Sequence, residues 1–404
     1  MKKFLFVFYI LISLTTALFS QNSNKVEVKF HGFIKADYFL DSRQNITARE
    51  GHFLLFPKIA DFDLNGADIN ATPSFNILAI QTRLKTVLTG PDFYGAKSSA
   101  VIEAAFFGHS NADINGLRLR HAFIKLNWEL TELIIGQYWH PMFVTKAFPG
   151  VYSFNTGAPF QPFSRNPQLR ITHGKKIKLI GTLYSQRDFS SKGPDGTSSI
   201  YLRNSGIPAM NLQVQFSTSS LFGGVGIDYK VLKPTLSVDN IKFENNLTAL
   251  SYIAFMNYRN KTINVSLEGT YGENMSDLLM IGGMTEYIDH ESTHFTNIKS
   301  LALWTDISTS IDNIEIGAFG GYAKNIGTKE ALNGAVYAFG GDIESMWRVS
   351  IRSAIKSGVT KFGIEIERTE AQYGVLEQGA TTLNIGNMDP VANYRLLLFG
   401  MYSF

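Results

Sequence analysis

The 404-residue sequence contains no cysteine, which removes disulfide frameworks, thiol nucleophiles and thiolate metal sites. A surplus of one charge is missing too. The 37 Lys and Arg face 34 Asp and Glu, a net of +3, so nothing in the charge balance invites nucleic acid, and no such partner is expected. After the first twenty residues no stretch of about 18 uncharged apolar residues occurs, which excludes a membrane-spanning helix from the remainder. Helical periodicity is nearly absent as well.

The first twenty residues read as an export leader. Lys2 and Lys3 form a basic start, Phe4 to Leu18 an apolar run, and Ser20 a small residue before the cut. Cleavage after Ser20 is expected. Leu18 stands where a small residue is preferred, so a cut after Ala17, with Thr15 in that position, is the alternative. Residues 21–404 are expected to form one domain.

That domain alternates with period two. Val26, Val28, Phe30, Gly32, Ile34, Ala36, Tyr38 and Leu40 fall on one face, and Lys25, Glu27, Lys29, His31, Lys35 and Asp37 on the other, interrupted by Phe33 and Phe39. A strand of a soluble sandwich is typically about 5 to 6 residues, whereas crossing a bilayer takes about 9 to 11. The same pattern predicts strands near 74–89, 98–108, 116–128, 131–139, 168–174, 176–187, 206–217, 221–231, 245–259, 261–272, 296–308, 312–324, 345–356, 359–371 and 391–404. With the first, these make sixteen. Short links, such as 127–132 and 217–220, alternate with long ones, such as 41–73, 139–167 and 272–295. A transmembrane antiparallel barrel shows this asymmetry, with short periplasmic turns on one rim and long external loops on the other.

Lipid leaves no backbone polar group to water, so only helices and closed barrels cross it. The fold expected is therefore an all-β transmembrane barrel in the outer membrane, with residues 26–40 paired to 391–404. Tyr38, Tyr252, Tyr258, Trp347, Tyr394 and Tyr402 then sit at the membrane interfaces, where their polar tips reach water. The last strand ends on Phe404, the terminal aromatic that outer-membrane assembly machinery reads in many barrels. A charge at the lipid midplane costs about 2–4 kcal/mol, which directs Arg83, Lys85, Arg118, Arg120, Arg165, Arg170, Arg348, Arg352 and Arg395 to the lumen as candidate solute contacts. Glu27, Asp37, Glu103, Glu268, Asp306 and Glu365 are their available counter-charges. Inward cations outnumber inward acids by roughly three to two, a field that favours anionic solutes. Arg118 and Arg120, two apart on one strand, are the first candidates.

The run His290-Glu291-Ser292-Thr293-His294 spells the HExxH zinc motif. That motif works only on a helix, where the two imidazoles lie one turn apart. Ser292, Thr293 and the Gly282-Gly283 flank argue against a helix, so no catalytic residue, metal or cofactor is expected.

Several motifs carry a family resemblance. They are Phe30-His31-Gly32-Phe33-Ile34-Lys35-Ala36-Asp37, Thr89-Gly90-Pro91-Asp92-Phe93-Tyr94-Gly95-Ala96-Lys97 with Glu103, Leu117-Arg118-Leu119-Arg120-His121-Ala122-Phe123-Ile124-Lys125-Leu126, Ile135-Gly136-Gln137-Tyr138-Trp139 and Arg165-Asn166-Pro167-Gln168-Leu169-Arg170-Ile171. Over about residues 26–175 the chain resembles the DcaP-like trimeric porins. The resemblance implies a homotrimer in outer-membrane lipid that passes small polar solutes by passive diffusion. It also implies a third external loop, here 139–167, that folds into the barrel and narrows it. Pro141, Pro149, Pro159, Pro162 and Pro167 would stiffen that loop. The family's Thr-Trp after Gly-Gln reads Tyr138-Trp139 here, so solute specificity is not carried over. A barrel hydrolase, or a non-transporting barrel acting as adhesin or scaffold, are the alternatives.

Overall fold

The computed structural model describes residues 25–290, 292–375, 377, 379–384 and 388–404. The leader at 1–20 and Glu291 of the HExxH run lie outside them. Sixteen strands form one closed antiparallel barrel. They are β1 (Glu27–Asp41), β2 (Ser74–Leu78 continued as Arg83–Thr89), β3 (Lys97–Phe106), β4 (Leu117–Asn127), β5 (Thr131–Trp139), β6 (Arg165–Gly174), β7 (Ile177–Tyr184) and β8 (Ala209–Ser217). The second half comprises β9 (Leu221–Leu232), β10 (Leu247–Arg259), β11 (Ile263–Glu273), β12 (Ser292–Ile311), β13 (Ile314–Thr328), β14 (Ile343–Ser357), β15 (Thr360–Tyr373) and β16 (Val391–Ser403).

Closure comes from β1, which pairs with β16 from Phe33↔Ser403 to Asp41↔Arg395 and with both parts of β2 on its other edge. Gly32 and Phe404 exchange backbone hydrogen bonds at 3.0 and 3.1 Å, which extends the seam by one pair beyond Phe33↔Ser403. The predicted strand 74–89 is interrupted at 79–82. There the β1 ladder donor Lys35 N–H bonds the Thr82 hydroxyl at 3.2 Å, and Ile80 turns into the interior.

The outward face carries the apolar half of each alternation. On β16, Tyr394, Leu398 and Tyr402 are exposed while Asn393, Arg395, Leu397 and Phe399 are buried inside. Eight residues separate Tyr394 from Tyr402, about 26 Å at 3.3 Å per residue, close to the height of an outer-membrane apolar band. At the outer end of this band Arg368 pairs with Glu370 and lies 5.0 Å from the Trp347 ring and 5.3 Å from the Tyr394 ring. Held there, the charge stays at headgroup level.

The predicted loop 272–295 holds more strand than expected. Gly282–Asp289 pairs with the start of β12, and Val336–Phe339 pairs with Gly282–Thr285, extending the wall as a sheet beyond the membrane. β12 thus reaches 20 residues, well above the spanning length.

Candidate permeation pathway

Segment 140–164, between β5 and β6, lies inside the barrel and is tied to five inward-facing strands. Lys35 Nζ on β1 donates to the Tyr152 carbonyl at 2.9 Å, and Gln213 Nε2 on β8 to the Pro141 carbonyl at 2.8 Å. Tyr152 Oη donates to Glu315 on β13 at 3.0 Å, and Arg348 Nη1 on β14 donates to the Ala158 carbonyl at 2.7 Å. The Tyr152 amide and Asn155 Nδ2 donate to Glu365 and Glu367 on β15. Close approach to β13 depends on Gly321, where a Cβ would stand 2.6 Å from Phe160 Cγ.

Two further external segments enter from above. The first is a hairpin, Asn45–Ala48 paired with Phe53–Pro57, between β1 and β2. The second is Met275–Ile281, between β11 and β12. Together with segment 140–164 they meet an apolar stretch of inner wall formed by Phe255, Trp304 and Phe319, and all of these belong to one buried cluster. Phe53 packs 5.4 Å from Phe163 and 5.3 Å from Phe154, and Phe56 packs 5.5 Å from Phe339. Each such fully buried Phe or Leu contributes about 1.5–3 kcal/mol. Sequence reasoning missed this internal core. Its signal was present, because Phe53-Leu54-Leu55-Phe56 and Leu278-Leu279-Met280-Ile281 are apolar runs in segments assigned to external loops.

The nine basic candidates are distributed unequally. Arg118, Arg120, Arg165, Arg348 and Arg395 are 3%, 1%, 1%, 0% and 1% exposed, and Arg352 is buried as well. Arg118 and Arg165 share Asp188, the latter at 2.6 Å, and Arg120 meets Glu103 at 2.7 Å. Arg348 pairs with Glu367 at 3.2 Å, Arg352 with Asp306 at 2.7 and 2.9 Å, and Arg395 with Asp41 at 2.6 and 2.9 Å. A charge in this low-dielectric interior is held only when paired, so these guanidinia knit wall and loops. Arg83 stands 4.0 Å from Glu103, Arg170 Nη2 donates to the Trp139 carbonyl at 2.7 Å, and Lys85 is half-buried.

Open volume remains below segment 140–164. A cavity of about 740 Å³ is bounded by Lys146, Phe148, Gly150 and Arg352 above and by the short turns at 218–220 and 260–262 below, placing it at the periplasmic mouth. A second, of about 360 Å³, adjoins the same Lys146 and is lined by Lys125, Glu132, Arg170, Lys178 and Gln215. Of the sequence candidates, Arg170 and Arg352 reach these cavities. Lys125, Lys146, Lys178, Arg259 and Lys261 reach them too and were not foreseen. Lys178 follows from the alternation of β7, whereas Lys146 sits in a segment with no period.

His290 occupies a left-handed turn, φ 46°, and His294 lies on β12 stacked 5.2 Å from Tyr287. The two histidines therefore do not share a helical face. Among the described residues no group of three His, Asp or Glu is placed to hold a metal ion.

No family model matches the chain, and no curated protein does. Solved structures do. The outer membrane channel DcaP of Acinetobacter baumannii superposes with TM-score 0.68 at 14% identity, over 94% of this chain and 97% of its own. OmpT, an outer membrane protein of Vibrio cholerae, gives 0.56 at 11% identity over 95% and 99%. An anion-selective porin from Comamonas acidovorans gives 0.56 at 10% identity over 94% and 100%. The sixteen-stranded fold read here is thus the fold of outer-membrane channels.

Proposed function

We propose that the chain is an outer-membrane porin through which small polar solutes, anions preferentially, diffuse passively, and that it assembles as a homotrimer. The observation that carries the reading is the pair of periplasmic cavities. Seven basic side chains line them, Lys125, Lys146, Arg170, Lys178, Arg259, Lys261 and Arg352, the last already paired with Asp306, against Glu132 and Glu315. A closed wall with an apolar exterior and a basic aqueous chamber has the form of a solute path, and low-dielectric walls concentrate the field in that chamber. Segment 140–164 sets its roof and, in this reading, the narrowest section. The trimer rests on the family resemblance and on a structural relative described as a trimer form, OmpT of Vibrio cholerae. Reconstitution in a planar bilayer tests the channel. Discrete conductance steps are expected, and a folded barrel that never produces them would remove the reading. Light scattering of the gently extracted particle tests the trimer, for which three times the monomer mass is expected.

A further inference from the structure

We infer that the hairpin 45–57 is a seated plug, and that solute passage through this barrel requires it to leave the lumen. The inference rests on the porin reading and adds the device that governs it.

Three observations carry it. First, the hairpin pairs only with itself, from Asn45↔Pro57 to Ala48↔Phe53, and shares no β-ladder with the wall. It can therefore move without breaking the barrel. Second, Phe53, Leu54, Leu55 and Phe56 are all at most 5% exposed. Burial of four consecutive residues means that both faces of this strand are enclosed, whereas an external hairpin would leave one face to water. Third, beside the apolar burial of Phe53 to Phe56, the hairpin is held by individual polar contacts to its backbone and to the Arg49, Glu50 and His52 side chains rather than by a ladder. Arg49 Nε donates to the Gly108 carbonyl at 2.9 Å, the Glu50 amide to Asn111 Oδ1 at 3.0 Å, and Asn76 Nδ2 on β2 to the Glu50 carbonyl at 3.2 Å and its carboxylate at 3.3 Å. Arg348 Nη2 and Arg395 Nη2 donate to the Leu55 and Gly51 carbonyls, each at 2.7 Å, and Tyr373 Oη donates to the Pro57 carbonyl at 2.7 Å. His52 Nε2 lies 2.9 Å from Asp37. The same strand, Phe53–Pro57, also faces segment 140–164 through the Phe53 contacts with Phe154 and Phe163. The apolar seal thus spans from wall to loop, where a permanently open aqueous pore would expose polar groups.

The test is single-channel recording of two full-length barrels beside the parent. One lacks residues 46–56, with two glycines joining Asn45 to Pro57. These two are ladder partners, so a two-residue connection fits. The other is Leu55→Asp with Phe56→Asp, which puts charge into the seat and drives the hairpin out. Folding is checked by the heat-dependent shift in electrophoretic mobility that marks a closed barrel. The expected result is a several-fold rise in mean conductance, or in open probability, for either folded variant. Equal conductance in parent and variants overturns the plug and leaves the porin reading standing. Silence of all three, with folding intact, overturns the porin reading itself. If the deletion fails to fold, the double substitution decides.

Discussion

Arg348 on β14 makes two backbone contacts, Nη1 to the Ala158 carbonyl and Nη2 to the Leu55 carbonyl, both at 2.7 Å. One guanidinium thereby fastens segment 140–164 and the hairpin 45–57 to the same point of the wall. Its Nε donates to the Thr369 hydroxyl at 2.8 Å, and Glu367 supplies the counter-charge. The planar fork of arginine suits this role, and lysine could not serve three acceptors in these directions.

Arg348→Met should therefore do more than remove a charge. Breaking a buried pair from one side costs about 3–5 kcal/mol, here by leaving Glu367 without its cation. The barrel should melt at lower temperature in detergent, and the hairpin should become cleavable by protease added outside. A variant with unchanged melting and unchanged cleavage would show that Arg348 does not hold the loops.

His52 gives the seat a pH dependence. Its ring is buried between Phe39, Phe107 and Phe154, and burial holds the imidazole below its ordinary value of 6.5, with the Asp37 hydrogen bond opposing. Asp37 and Lys35 on β1 and Arg395 on β16 are the charged groups that face it. Seating favours neutral His52, so its contribution is complete above about 6.5 and declines as pH falls toward the seated value. Conductance should rise as pH drops from neutral to mildly acidic. His52→Gln should flatten that rise. An identical pH response in His52→Gln would remove the histidine from the mechanism.

The strands were legible in the sequence because lipid imposes a local rule. Every second residue meets hydrocarbon, so Tyr394, Leu396, Leu398 and Tyr402 identify their strand without knowledge of any partner. The register of Arg118 and Arg120 was legible for the same reason, and both side chains do turn inward. What they touch there was not. Asp188, which pairs with Arg118 and Arg165, lies in an external segment, and no spacing in the sequence links it to them. The interior core showed only as two apolar runs, Phe53 to Phe56 and Leu278 to Ile281, with no sign of what they pack on. Phe53 to Phe56 shows no period, and its neighbours Phe154, Phe163 and Phe339 come from segments 100 to 290 residues away, about which local pattern is silent.

Gly321 offers a steric check on segment 140–164. A side chain there would meet Phe160 at 2.6 Å, and overpacking a filled interior costs about 1–3 kcal/mol. Gly321→Val should displace the segment from β13, lower the melting temperature and change unit conductance. Gly181, which faces lipid with nothing within 4 Å, is the control, and Gly181→Val should leave conductance unaltered. Equal behaviour of the two variants would mean that segment 140–164 does not set the passage.

Selectivity should follow the cavity lysines rather than the buried arginines. Lys146 is exposed at the junction of both cavities, and Lys178 lines the second. Arg118 is buried and spent on Asp188. Lys146→Glu with Lys178→Glu reverses two of the charges a solute meets, so the reversal potential across a salt gradient should move toward cations. Screening acts over about 8 Å at physiological salt, so the shift should be largest in dilute salt and shrink as salt is added. Arg118→Ala should behave differently. It leaves Asp188 still paired with Arg165 at 2.6 Å, and should lower stability with little change in reversal potential. If Arg118→Ala moved the reversal potential as far as the lysine pair did, the buried guanidinium would have to face the solute in the conducting state, and the division between charges that hold the wall and charges that meet the solute would be wrong.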